Sequence, residues 1–214
     1  MSDLQINYTN DFKITGDGSS DLWNQTAWID IPQLSFSGIT AKTKVKTLYS
    51  KTGMYFLYEC EDEKIISTLR GENRDLWTED VIEVFIWTDQ WYPIYFEYEL
   101  SPLNYELPLI IPNIDDKFLG WIPWHYTDER KVQHATSVKG GKKEHNSKID
   151  SWTGEFFVPY DLLAPLANVP PEKGTEWYIN FYRIDHDRGV STWAWKPIEG
   201  TFHQFEKFGK ATFN

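Results

Sequence analysis

Between Asp80 and Trp87 large apolar and β-branched residues follow one another with a single carboxylate among them, and turn-prone polar residues flank the run on both sides. That pattern predicts a strand. Side chains alternate across a strand, so Val81, Glu83, Phe85 and Trp87 share one face and Ile82, Val84 and Ile86 the other. The second set is apolar throughout and belongs to a core. Glu83 interrupts the first, because a carboxylate among large apolar neighbours must reach water, a cation or a polar ligand. Similar short runs recur at about 43–49, 53–60, 132–138, 151–158 and 176–184, and Pro159 to Leu163 offers at most one helical turn. Residues 92–101 form another run, and the short link Thr88-Asp89-Gln90-Trp91 predicts a hairpin with the strand before it. Such a hairpin brings Glu97 and Glu99, opposite in face to Phe96 and Tyr98, towards Glu83. Short strands at regular intervals with very little helix predict an all-β fold, an antiparallel β-sandwich in which residues 1–214 form one domain.

The least regular stretch is 102–131, which holds Pro102, Pro108, Pro112 and Pro123 together with Trp121-Ile122-Pro123-Trp124-His125-Tyr126. A proline-interrupted, aromatic-rich excursion from a strand scaffold serves either as a binding rim or as a cover over an apolar edge. Residues 139–146, by contrast, read as a solvated hairpin tip.

Composition narrows the function. Aromatic residues make up 17% of the 214, with eleven Trp, which suits a β-rich chain with stacking surfaces. A formal charge of −11 argues against nucleic acid, whose phosphates require clustered Lys and Arg. The same acidity leaves room for calcium, which takes carboxylate and carbonyl oxygens, although a surface held away from neutrality has that charge anyway. The one cysteine, Cys60, excludes an intramolecular disulfide and reads as a small buried apolar group. No run of 18 apolar residues predicts a membrane span. The start lacks a basic and then apolar signal region, which fits a cytoplasmic protein if Met1 is the native start and a periplasmic or extracellular one if a signal was removed.

The run Leu76-Trp77-x-x-Asp80-x-x-Glu83-Val84-Phe85 resembles the central motif of the family 9 carbohydrate-binding modules and their DOMON-like relatives. The resemblance continues through Tyr95 to Pro102, Trp152-Thr153-Gly154-Glu155, Trp177 to Arg183, Trp193-Ala194-Trp195-Lys196-Pro197 and Phe202-His203 with Lys207-Phe208-Gly209. It implies a jelly-roll β-sandwich, monomeric, that holds one end of an oligo- or polysaccharide between two tryptophans while carboxylate, Arg and Asn side chains bond its hydroxyls. Structural calcium accompanies some members. Trp77 matches the first tryptophan and Glu83 the acidic residue of the same motif. Trp195, or failing that Trp193, falls where the second tryptophan is expected. Glu97 and Glu99 occupy a strand where relatives often carry Arg or Asn. Three carboxylates on one face favour a neutral or cationic ligand over a uronic acid unless Arg74 and Arg183 compensate.

Each residue also has a plainer reading. Trp77 can pack over the end of a sandwich, and Glu83 can pair structurally with Arg74 or Arg183. Asn180 shares a face with Tyr178 and Tyr182, whereas Arg183 shares the opposite one with Trp177, Ile179 and Phe181. A rival class is a carbohydrate-active enzyme, with Tyr182, His186 and His125 as acid/base groups for a lyase or dehydratase, or Glu83 with Glu97 or Glu99 for glycoside hydrolysis. A third is a haem carrier of the DOMON type with Met54 and His203 as axial ligands. The segment around His203 resembles the sugar-binding branch instead, so no haem is expected.

Overall fold

A computed structural model describes residues 3–115 and 117–214. Its strands, in chain order, are β1 (Leu4–Tyr8), β2 (Ile29–Ile31), β3 (Gln33–Ser35), β4 (Thr43–Tyr49), β5 (Gly53–Glu61), β6 (Val81–Trp87), β7 (Ile94–Leu100), β8 (Glu106–Ile114), β9 (Lys117–Phe118), β10 (Ile122–Pro123), β11 (Gln133–Lys139), β12 (Ser151–Pro159), β13 (Glu176–Asp185), β14 (Ser191–Ala194) and β15 (Gly209–Phe213). Among the described residues the only α-helix is the turn Tyr160–Leu163. One sheet runs β10-β8-β7-β6-β13-β15, the other β4-β5-β12-β11, and β1 stands between β15 and β4. Strand pairing is antiparallel except at β1, which runs parallel to β15 through Leu4–Ile6 and to β4 through Asn7 and Tyr8.

The two sheets close on a core that includes Ile82, Val84 and Ile86 of β6, Met54, Phe56 and Tyr58 of β5, Trp152 and Phe156 of β12, and Trp177, Ile179 and Phe181 of β13. Gly154 belongs in this closure, because a Cβ there would stand 2.4 Å from Ile82 Cδ1. Cys60 is buried in the same core, and desolvation pushes its thiol up to about 12, so it is no nucleophile at neutral pH.

Both outer faces are also covered. On the first sheet Val81, Phe85, Trp87, Tyr95, Leu107, Leu109 and Tyr182 form a second apolar layer with Leu76, Phe205 and Phe208. On the second, Leu48, Tyr55, Leu57 and Phe157 lie under Ile14 and Trp23. Burial of β6 on both faces is the reason its sequence is nearly all apolar rather than alternating. The N-terminal cover is pinned by Glu155, whose carboxylate accepts from Thr15 N (2.8 Å), Thr15 Oγ1 (2.9 Å), Gly16 N (2.6 Å) and Trp23 Nε1 (2.8 Å). Gly16 makes this approach at φ +88°, where a Cβ would also strike Ala135 at 2.8 Å.

The predicted strands are present, as is the β6–β7 hairpin. The excursion 102–131 departs from expectation, because β8 runs for nine residues through Pro108 and Pro112. Its outer side meets only the two-residue strands β10 and β9. On so thinly paired an edge the missing proline N–H groups leave few ladder bonds unmade.

Candidate functional site

Register assembles the site. On the outer face of the first sheet Glu83 stands between Tyr182 of β13 and Glu99 of β7, and Phe85 between Asn180 and Glu97. Leu107 and Leu109 of β8 continue the two rows past Glu99 and Glu97. The three carboxylates of one face are therefore direct or diagonal neighbours, as the hairpin predicted. Just ahead of β6 a 3-10 turn, Leu76–Thr78, buries Leu76 in the outer apolar layer and leaves Trp77 half-buried. Glu79 holds the turn against the preceding loop by accepting from Thr68 N and Leu69 N.

A cavity of about 210 Å³ opens here, lined by Trp77, Glu83, Phe85, Glu97, Leu109, Trp121, Ile184, Thr201, Phe202 and His203. Its aromatic wall is continuous. Trp77 meets Trp121 edge to face at 5.2 Å between centroids, and Phe118, 6.1 Å from Trp121, stacks on His203 at 4.1 Å. His203 in turn lies over Phe85 at 5.6 Å and shares a 2.6 Å hydrogen bond with the Tyr95 hydroxyl. Trp121 is 48% exposed, so the wall reaches solvent through it.

The polar floor is unusual in lacking cations. No Lys or Arg lines the cavity among the described residues. Desolvation first, and Glu97 second, raise Glu83 well above the ordinary carboxylate range. Desolvation raises Glu97 to about 8, and raises Glu99 strongly with help from Glu83 and Glu97. No well-aligned N–H or hydroxyl donor reaches Glu97 Oε2 or either oxygen of Glu99, and the two carboxyls are near enough to share a hydrogen bond when one holds a proton. Burial likewise drops His203 to about 4, leaving a neutral ring 3.8 Å from Glu97. At neutral pH the floor thus consists of carboxyl groups that hold protons, and a protonated carboxyl donates one hydrogen bond and accepts others. That is the complement of a hydroxyl.

The other expected residues lie elsewhere. Arg183 is fully buried on the inner face, where it bonds Asp62 (3.1 Å) and Asp185 (2.5 Å) and sits 4.6 Å over the Trp193 ring. The expected role of Arg183 at the ligand is therefore corrected, because the face it shares with Phe181 is the inner one. Trp193 donates its Nε1 to Ala41 O, and Trp195 packs on Phe181 at 5.6 Å. Both belong to the inter-sheet core, because β14 pairs Trp193 with the inward Arg183 of β13 and Trp195 N donates to Phe181 O beyond it. Arg74 is exposed on the loop before the turn, outside the cavity lining. Trp121 and Phe202 supply the aromatic surface that sequence reasoning sought from Trp195, and the excursion's reading as a rim was the signal available for Trp121.

Of the groups in the enzyme reading, Glu83, Glu97 and Glu99 stay together with Tyr182 beside Glu83, whereas His186 and His125 lie outside the cavity lining. Tyr182 is buried, accepts from Asn180 Nδ2 (2.8 Å) and donates to Phe202 O (3.1 Å). His186 bonds Asp80 through its backbone N–H, and His125 faces Glu106 at 3.8 Å. The haem pair is split by the first sheet, with Met54 in the inter-sheet core and His203 on the outer face.

Comparison with known proteins agrees with this architecture. Residues 14–105 match the carbohydrate family 9 binding domain-like family. No curated protein matches the chain. Among solved structures, a candidate carbohydrate-binding protein from Bacteroides uniformis aligns with TM-score 0.79 at 15% identity, over 99% of this chain and 98% of its own. A family 9 module from Caldicellulosiruptor kristjanssonii in complex with cellotriose aligns at 0.70 and 17% identity over 98% and 93%. The same source's module in complex with glucose aligns at 0.68 and 18% over 98% and 95%. Residues 14–105 are thus similar to the family 9 carbohydrate-binding domains, and the whole chain has the β-sandwich fold of those modules.

Proposed function

We propose that the protein binds a saccharide in the cavity beneath Trp77 and Trp121, the sugar's C–H face against the aromatic wall and its hydroxyls on Glu83 and Glu97, with Glu99 beside them. The observation that carries this reading is the unpartnered Glu97 Oε2, which with Glu83 forms the floor of an aromatic-walled cavity. Buried polar atoms without partners are costly unless a ligand completes them. The match to a carbohydrate-binding family and the sugar-bound structural neighbours support the ligand class. A floor without Lys or Arg favours a neutral sugar and disfavours a uronate, whose charge would find no partner. Attachment to polysaccharide during its degradation is the role that fits such a module.

Structural calcium, which the resemblance implied, fits the chain poorly at its main acidic cluster. Asp62 and Asp185 already bond Arg183, and Asp80 accepts from Ile66 N and His186 N. The cation there is the guanidinium.

The test is calorimetric titration with glucose, cellotriose and a uronate trisaccharide, with native mass spectra of the mixtures taken over hours. Binding of the neutral sugars with unchanged sugar masses is expected. Trp77→Ala should weaken binding roughly tenfold or more, that factor corresponding to about 1.4 kcal/mol of lost contact, with little change in melting temperature. Undiminished affinity in both Trp77→Ala and Trp121→Ala would remove the cavity from consideration, and a sugar that splits or loses water would make the protein an enzyme.

A further inference from the structure

Away from the sugar cavity, three segments distant in sequence bring Glu72, Glu106 and His134 together so that one ligand atom from each lies within 4.8 Å of the others. Glu106 opens β8, His134 lies on β11, and Glu72 belongs to the loop between β5 and β6. The arrangement is more than a group of acids. His134 Nδ1 is 3.0 Å from Asn104 Oδ1, an atom that only accepts, so Nδ1 carries the proton and Nε2 keeps its lone pair. That lone pair faces Glu106 Oε2 at 3.6 Å. The Glu106 side chain is 1% exposed and its Oε2 has no hydrogen-bond partner. Two acceptors therefore face each other at 3.6 Å, an arrangement that a cation relieves.

We propose that Glu72, Glu106 and His134 form a binding site for a divalent transition metal of the zinc class. Metal bonds of about 2.0–2.2 Å place two tetrahedral ligands roughly 3.4 Å apart, close to the separation of His134 Nε2 and Glu106 Oε2. The Asn104 contact is the second-layer hydrogen bond that orients a ligating imidazole. His125 is the candidate fourth ligand, its buried Nδ1 unpartnered and 3.8 Å from Glu106 Oε1. An imidazole with carboxylates selects zinc, cobalt or nickel over calcium, which prefers six to eight oxygens. A surface hollow lined by Glu72, Asn104, Lys131 and His134 provides access. Lys131 is the competing cation, its Nζ 3.8 Å from Glu106 and 3.9 Å from Glu72. These distances are too long for hydrogen bonds, and the flexible, 39% exposed stem lets the ammonium swing outward.

The experiment uses untagged, chelator-dialysed protein titrated with zinc chloride, cobalt chloride and calcium chloride, read by native mass spectrometry and by the visible absorption of bound cobalt. One zinc per chain, a cobalt spectrum characteristic of nitrogen ligation and no calcium binding at equal concentration are expected. His134→Asn and Glu72→Gln should each weaken zinc binding roughly tenfold or more, the scale known for perturbing such sites. Lys131→Met should strengthen it. Glu72 lies at the rim, so its variant remains informative if substitution of buried His134 disturbs folding, which circular dichroism would show. Absence of zinc binding at 100-fold excess over protein, or zinc affinity unchanged in folded Glu72→Gln and His134→Asn, overturns the proposal. Sugar titrations of the same samples report on the other cavity independently.

Discussion

Glu155 and Glu99 are both strand carboxylates with no solvent exposure, and their surroundings could hardly differ more. Glu155, on the outer face of the second sheet, receives four hydrogen bonds from Thr15, Gly16 and Trp23, and its role is complete within the chain. Glu99, on the outer face of the first, has two oxygens that no well-aligned N–H or hydroxyl donor reaches and two carboxyl neighbours of its own kind. Burial and residue type alone do not separate a structural acid from a functional one. The location of the donors does: for Glu155 they come from the cover folded over it, whereas Glu97 faces a cavity from which a donor can enter, with Glu99 beside it. Arg183 marks a third arrangement, in which a buried guanidinium supplies Asp62 and Asp185 with their partner.

Substitutions push this contrast hardest where partners are fixed. Arg183→Met strands Asp62 and Asp185 in the core and should lower unfolding free energy by about 3–5 kcal/mol, the range for breaking a buried pair. A urea midpoint within error of the parent protein would show that the aspartates do not need it. Glu155→Ala leaves the Thr15, Gly16 and Trp23 donors without an acceptor and should cost about 3 kcal/mol or more, at roughly 1–3 for each orphaned group, while sugar affinity of the folded fraction stays the same. Reduced affinity with unchanged stability would invert the contrast between the two sheets.

Glu99→Gln should do the reverse of Glu155→Ala. It removes a group already short of partners, so stability at pH 8 should hold or rise by up to about 1 kcal/mol, the scale of one net hydrogen bond, while calorimetry should record weaker sugar binding. The smallest effect is the pH dependence. Burial raises Glu97 from an ordinary 4.5 to about 8, so between those values the folded protein holds a proton that the unfolded chain releases. Its contribution is present in full below pH 4.5 and lost as pH rises through about 8. Melting temperature should therefore fall from pH 5 to pH 9, less steeply in Glu97→Gln, and an identical slope in both proteins would clear Glu97 of the effect.

Much of this was legible in the chain because strand alternation is a local property. Period two places Glu83, Glu97 and Glu99 together once β6 and β7 form a hairpin, and it puts Arg183 on the face of Phe181 opposite Asn180 without saying which face is the inner one. The turn before β6 likewise announces Trp77 as a residue at the sheet's outer face. What alternation cannot supply is the identity of neighbours that arrive from far along the chain. Trp121, not Trp195, adjoins Trp77, because β8 stays a strand despite its prolines and carries the excursion over the carboxylates. Glu155 finds its donors 132–140 residues away, and His134 meets Glu106 and Glu72 only when β11 and β8 come side by side with the loop before β6. Local periodicity decides which way a side chain points; what it meets there depends on loop closures that no short-range pattern encodes.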